Sequence, residues 1–200
     1  MSTSPDSSVK RSLGPLPLLY PEPALLVATY DANGKPNVMT AAWGGICSSD
    51  PLSLMVAVRP ERWTHDALLA RKAFTVGIPS EKMAEATDFV GIASGRRYDK
   101  FAMAGFTPVR SDKVDAPYIA ECPVVLECSL SQDIRLGVHT MMIGTILDVK
   151  ADEACLDDSG KPDISKIAPL IYDSGSRAYY GIGKLVAPAF SAGKSLLKKE

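Results

Sequence analysis

Two hundred residues, 46% of them hydrophobic, suffice for one globular domain with a sizeable core. With 22 basic and 23 acidic residues and a net charge of −1, nothing suits the chain to a nucleic-acid backbone. No apolar run approaches the ~18 residues of a membrane helix, and the first twelve residues lack the apolar core of a secretory signal, so a cytoplasmic protein is expected.

Residues 1–12 are polar and Ser-rich and read as a tail, residues 13–185 as one domain, and residues 186–200 as a second tail. Leu13–Pro23 places four prolines among leucines, which suggests an extended arm. Ala24–Tyr30 is a strand. Asn33-Gly34 centres a turn, and the chain returns along Asn37–Trp43 as the second strand of a hairpin.

A small-residue stretch, Gly44 to Pro51, reads as a loop between that strand and a third, Leu52–Val58. Arg59, Arg62 and Thr64 follow at once. Hydroxyls, glycine amides and guanidinium groups this close together suit an anion, and Trp43 offers a flat apolar surface beside them. The residues thus describe a ligand with one aromatic end and one phosphate end.

Thr64 is placed to cap a helix over Thr64–Lys72, whose open first-turn amides also suit a phosphate. Ala73–Ile78 is a strand, and Ser80 starts a helix over Glu81–Val90 with Met83, Ala86, Phe89 and Val90 on one face. Ser94, Gly95, Arg96, Arg97 and Lys100 form a basic turn. Gly105–Pro117 reads as irregular loop. Val124–Leu130 and Thr140–Val149 are strands joined through Gln132–Gly137, and Ala151–Ser165 is a polar excursion. Ile167–Tyr172 and Ala178–Ile182 are short apolar pieces expected either to close the domain or to rest near the ligand.

The four cysteines, Cys47, Cys122, Cys128 and Cys155, form no CxxC pair, and with His65 and His139 they show no zinc spacing. They read as small packing thiols, and no metal site is expected. Hydrolase and P-loop motifs are missing. So is GxGxxG after a strand, which speaks against a Rossmann nicotinamide site.

Three ordered segments carry a resemblance. The first is Asn37-Val38-Met39-Thr40-Ala41-Ala42-Trp43, continued by Ser48-Ser49-Asp50-Pro51 and Val58-Arg59-Pro60-Glu61-Arg62-Trp63-Thr64. The second is Ser94-Gly95-Arg96-Arg97-Tyr98-Asp99-Lys100-Phe101. The third is Gly137-Val138-His139 with Gly144-Thr145-Ile146. Together they make the chain resemble the flavin reductase-like, FMN-binding split-barrel family, especially its flavoredoxin branch.

The resemblance implies a mainly β fold with a few helices, closed as an FMN-binding split β-barrel, and a homodimer with each FMN at the subunit interface. It assigns non-covalent FMN to a cofactor-binding set. Ser48, Ser49, Arg59, Arg62, Thr64, Ser94, Gly95 and Lys100 serve the phosphate; Asn37, Thr40, Ala41 and Trp43 come from the segment beside the ring. His139 is the one catalytic candidate, although Val138 stands where the family usually has Asp. The implied function is an FMN-binding oxidoreductase: a flavin reductase, or a flavoredoxin-type carrier without turnover, taking electrons from NAD(P)H bound transiently or from a protein donor. Its partner is then free flavin or a redox protein. The alternative is a non-catalytic split-barrel protein that binds a regulatory flavin or haem.

Overall fold

The computed structural model describes residues 9–197. Residues 1–8 of the expected N-terminal tail and residues 198–200 of the C-terminal tail lie outside them. No helix among the described residues is long and apolar enough to cross a membrane.

The chain opens with a two-residue strand, β1 (Glu22–Pro23), and then forms the hairpin β2 (Leu25–Tyr30) and β3 (Pro36–Ala41). The turn between them is organised by Asp31, whose Oδ1 accepts from the amides of Asn33 and Lys35 at 2.8 Å each. Gly34 takes the left-handed conformation there (φ 79°). A second hairpin follows, β4 (Gly44–Ser49) and β5 (Leu52–Val58), then α1 (Trp63–Arg71), β6 (Ala73–Ile78) and α2 (Ala84–Ile92). The short helix α3 (Lys100–Ala104) leads to the paired strands β7 (Pro108–Arg110) and β8 (Pro117–Ile119). Two thirteen-residue strands, β9 (Val124–Leu136) and β10 (His139–Ala151), form the longest hairpin. Last come α4 (Ile164–Ile167), β11 (Ile171–Asp173) and β12 (Ala178–Tyr180), with β11 paired to both β1 and β12.

The main sheet has seven antiparallel strands in the order β3-β2-β6-β9-β10-β5-β4. Its end strands, β3 and β4, are consecutive in the chain, yet no ladder joins them. Instead the Ala57 amide of β5 donates to the Trp43 carbonyl at 2.8 Å. The sheet therefore curls on itself and leaves a seam at Ala42–Trp43, as a split barrel does.

Strand alternation decides what goes where. Leu25 and Val27 point into the barrel with Met39, Val56, Val58, Phe74, Val76 and Met142. Leu26 and Ala28, one residue out of phase, pack outward with Val38, Met83, Val90 and Phe101 beneath α2 and α3. A strand buried on both faces reads as the unbroken apolar run Leu25–Ala28.

Several local expectations change. The stretch expected as a loop at Gly44 is strand β4, because small residues pair as readily as large ones once β5 lies beside them. Gln132–Leu136 is not a connection; it continues β9 against His139–Ile143, and the turn narrows to Gly137-Val138. Its polar composition misled because this length of β9 is exposed on both faces. Within Gly105–Pro117, Pro108–Arg110 pairs with β8. The helix expected from Glu81 begins as a single 3-10 turn over Glu81–Met83 and becomes α-helical at Ala84. Cys122, Cys128 and Cys155 are buried as expected, whereas Cys47 on edge strand β4 is exposed.

Candidate functional site

The site lies where β3 runs out, α1 begins and α2 ends. Helix α1 starts at Trp63, one residue before the expected Thr64, with Arg62 at its N-cap and no side chain capping it. Thr64 is therefore a buried first-turn residue rather than the cap, and its Oγ1 accepts from Asn37 Nδ2 at 2.9 Å. The His65 amide is taken by the Arg62 carbonyl at 3.0 Å, and with no side-chain cap the Trp63 and Thr64 amides of α1 are open to a ligand.

Across a narrow cleft, α2 runs out into the turn Ala93–Gly95. The cleft is lined by Met39, Glu61, Arg62, Trp63, Thr64, Val90–Gly95 and Lys100. Gly95 is there because nothing larger fits: a Cβ would sit 2.4 Å from Asn37 Oδ1. Lys100, at the start of α3, is 5% exposed, and its Nζ donates to the Val90 carbonyl at 3.0 Å. Burial first, and the nearby Arg62 guanidinium second, push its ammonium down to about 8. Arg59 forms an ion pair with Glu61 at 2.7 Å on the rim. Arg62 and Lys100 remain as like charges facing one cleft, an arrangement that an anion stabilises.

The cleft shares Met39 and Arg62 with a second cavity lined by Met39–Trp43, Ala57, Arg59 and His139. Here the Trp43 and His139 rings lie 5.0 Å apart, tilted by 45°. Behind it a third cavity, of about 210 Å³, is bounded by Thr40, Ala42, Asp88, Gly91, Tyr172 and Tyr179. Tyr179 donates to Asp88 Oδ1 at 3.2 Å, and burial, then Asp88, push its hydroxyl up to about 12.

Of the residues singled out from sequence, Asn37, Thr64, Gly95 and Lys100 meet in or beside the cleft with Ser94 and Arg62. Thr40, Ala41, Trp43, Arg59 and His139 line the neighbouring cavity. Ser48 and Ser49 do not join them. Ser48 pairs with Ser53 and Ser49 with Leu52 at the turn between β4 and β5, while Arg59 follows the opposite end of β5. Seven strand residues separate those ends by about 20 Å, too far for one phosphate to reach both. Arg96 and Arg97 line neither cavity; the Arg97 guanidinium stacks on Tyr98 at 5.6 Å.

Sequence reasoning missed the backbone of Val90–Ala93 and Asp88, whereas Tyr172 ends an apolar piece that was expected either to close the domain or to rest near the ligand. Only Gly91 carried a signal, since a glycine inside an apolar helix often marks a close approach. Its Cβ would lie 3.2 Å from that of Thr40. His65, expected on a helix, is buried on α1 between Asp66 Oδ1 (2.8 Å) and Thr140 Oγ1 (3.0 Å), so it supports β10 beside His139.

The flavin reductase like domain matches residues 18–181. The flavoredoxin of Desulfovibrio vulgaris (Miyazaki F) is 48% identical and superimposes with a TM-score of 0.89, covering 92% of this chain and all of that one. An FMN-binding protein from Thermus thermophilus, solved with bound 1-cyclohex-2-enone, is 25% identical with a TM-score of 0.76, covering 90% of this chain and 99% of that one. A protein of Archaeoglobus fulgidus is 36% identical over 150 residues, covering 75% of this chain and 82% of its own length.

Proposed function

The chain belongs to the flavin reductase-like family, and on that premise we propose that it binds FMN non-covalently and acts as a flavoredoxin-type electron carrier. One observation carries this reading. A cationic cleft and an aromatic cavity meet at Met39 and Arg62, which suits a ligand with phosphate at one end and a planar ring at the other. The likeness to a flavoredoxin over the whole of that protein supports the carrier branch.

Arg62, Lys100, the Thr64 hydroxyl and the first amides of α1 would hold the phosphate, with Ser94 and Gly95 completing the turn. Backbone groups of Thr40–Trp43 would lie along the ring edge, with Trp43 and His139 to one side. The flavin supplies the redox chemistry when bound; the protein supplies its position and the local charge. Each charge-assisted contact is worth about 1.5–3 kcal/mol, so several retain the cofactor without a covalent bond. His139 is held near Trp43 and its role toward a nicotinamide donor is a separate proposal. We also propose a homodimer through the exposed tip of the β9–β10 hairpin, where Ile134, Leu136 and Val138 present apolar side chains to solvent.

The visible spectrum of the purified protein tests the main reading. A flavin spectrum retained through gel filtration after reconstitution with FMN is expected, and failure to hold FMN would overturn it. Steady-state oxidation of NADH and NADPH with added FMN then separates the branches: negligible turnover with tightly held flavin marks a carrier, rapid turnover a reductase. Replacing His139 with Asn leaves hydride transfer unchanged if that ring only supports the fold. Sedimentation analysis of wild type against Leu136→Lys checks the dimer, which the charged residue is expected to dissociate.

A further inference from the structure

The third cavity, behind the ring site, is bordered by groups that the flavin reading does not use. Asp88, Tyr172 and Tyr179 line this space of about 210 Å³ and line neither the phosphate cleft nor the ring cavity. It lies outside the barrel, where the Thr40 side chain faces α2 while Met39 and Ala41 point inward. A cavity of about 150 Å³ holds a benzene ring, so one six-membered ring with a substituent fits here.

Two of the wall's three hydroxyl protons are already committed. Tyr179 donates to Asp88 Oδ1 at 3.2 Å, and Thr40 donates to the Thr87 carbonyl. With its hydroxyl pushed up to about 12, Tyr179 keeps that proton at neutral pH. What these groups still offer a ligand is acceptor oxygen.

The charges on the wall have one sign. Asp88 is exposed, and no lysine, arginine or histidine among the described residues lies within ion-pair distance of it. Helix α2 ends at Ile92, and Gly91 and Ile92 of its last turn border the cavity, so the negative end of the helix lies beside the same space. Lys100 answers that end on the cleft side, through the Val90 carbonyl, but does not line this cavity. The Tyr172 and Tyr179 rings, with centroids 5.5 Å apart and planes tilted by 50°, complete the wall. Aromatic faces attract cations as well.

We propose that this cavity binds a ring-sized organic cation, its charge against Asp88 and its flat body beside Tyr172 and Tyr179. The site goes beyond the flavin reading and does not rest on it. Thr40 and Ala42 also line the ring cavity, so an occupant would lie across one strand from a bound flavin.

N-methylpyridinium and toluene share size and shape and differ in charge. Titrations of each, followed by saturation-transfer NMR on protein with and without FMN, give their affinities. N-methylpyridinium is expected to bind both forms of the protein at least about tenfold more tightly than toluene. Asp88→Asn keeps an oxygen for the Tyr179 hydroxyl and removes the charge, so it should abolish that preference.

No detectable binding of N-methylpyridinium overturns the proposal, and so does equal binding of toluene to the wild-type protein. A preference that survives Asp88→Asn does the same. Release of N-methylpyridinium by FMN also overturns it, because the cavity would then belong to the flavin ring. If the protein holds no FMN, the titrations without FMN decide alone, and the flavin reading fails without this one.

Discussion

Lys100 is the residue whose surroundings say most about the site. Its ammonium is buried at the end of α2, and its proton is held only up to about pH 8, while in the unfolded chain it is held to about 10.5. Between those values the unfolded chain binds the extra proton, so stability of the ligand-free protein rises with pH there, by on the order of 3 kcal/mol. Lys100→Met should remove that rise, as urea titrations of both proteins at pH 7 and pH 10 would show. FMN affinity should run the opposite way and fall above about pH 8, because a neutral amine no longer pairs with phosphate. The same variant is expected to bind FMN at least about tenfold more weakly at pH 7 and to lose the pH dependence, measured by fluorescence titration. Gly95→Ala tests the opposite wall. Its new methyl meets the carboxamide of buried Asn37, which must give up Thr64 or push the turn aside. A loss of about 1–3 kcal/mol in stability is expected, with weaker FMN binding.

At the scale of elements, the site depends on how two helices start. α1 begins without a side-chain cap, and the amides of Trp63 and Thr64, which line the cleft, stay open. α3 begins with a real cap: Asp99 Oδ1 accepts from the Ala102 amide at 3.1 Å, and that bond, with Lys35 at 3.0 Å, holds the carboxyl below the usual range. Since Lys100 is the next residue, the cap also aims the buried ammonium. Asp99→Ala should cost about 1 kcal/mol in thermal or urea unfolding and weaken FMN binding. Asp99→Asn retains a capping oxygen and loses only an exposed ion pair, so it should behave nearly as wild type. Equal effects from the two variants would show that charge, not capping, matters there.

Across the whole molecule, the long β9–β10 hairpin is tied to the β7–β8 connection by a single cation. Lys150 Nζ lies 2.9 Å from Asp112 Oδ1, 2.8 Å from Asp148 Oδ2 and 3.3 Å from Glu127 Oε2. The three carboxylates are grouped closely enough to suggest a metal, but the ammonium sits among them. Glu127 is fully buried, and neither of its oxygens has a hydrogen-bond partner, so Lys150 is its one counter-charge among the described residues. Lys150→Met should therefore cost about 3–5 kcal/mol by urea denaturation. Adding Glu127→Gln to that variant should recover part of the loss. A shift below about 1 kcal/mol for the single variant would mean that water, not Lys150, solvates the acid.

How much was legible follows from what is local. Apolar runs marked β2, β5 and β6 within a residue or two, and Asn33-Gly34 marked the first turn, because strand pleat and turn conformation are short-range properties. The stretch from Asn37 to Thr64 pointed to an anion through its own donors, whereas Ser94–Lys100 was singled out through the family resemblance, its cations otherwise reading as a solvated run. Where the strands lie relative to one another is not local. The register of β4 against β5 carried Ser48 and Ser49 to the far turn, the end of α2 supplied the backbone of Val90–Ala93, and the barrel seam brought His139 to Trp43 from ninety-six positions away. By itself the sequence determined a mainly β domain with a cationic and an aromatic segment. Only the tertiary structure decided which hydroxyls share a cleft with the cations, because that depends on pairing between residues distant in the chain.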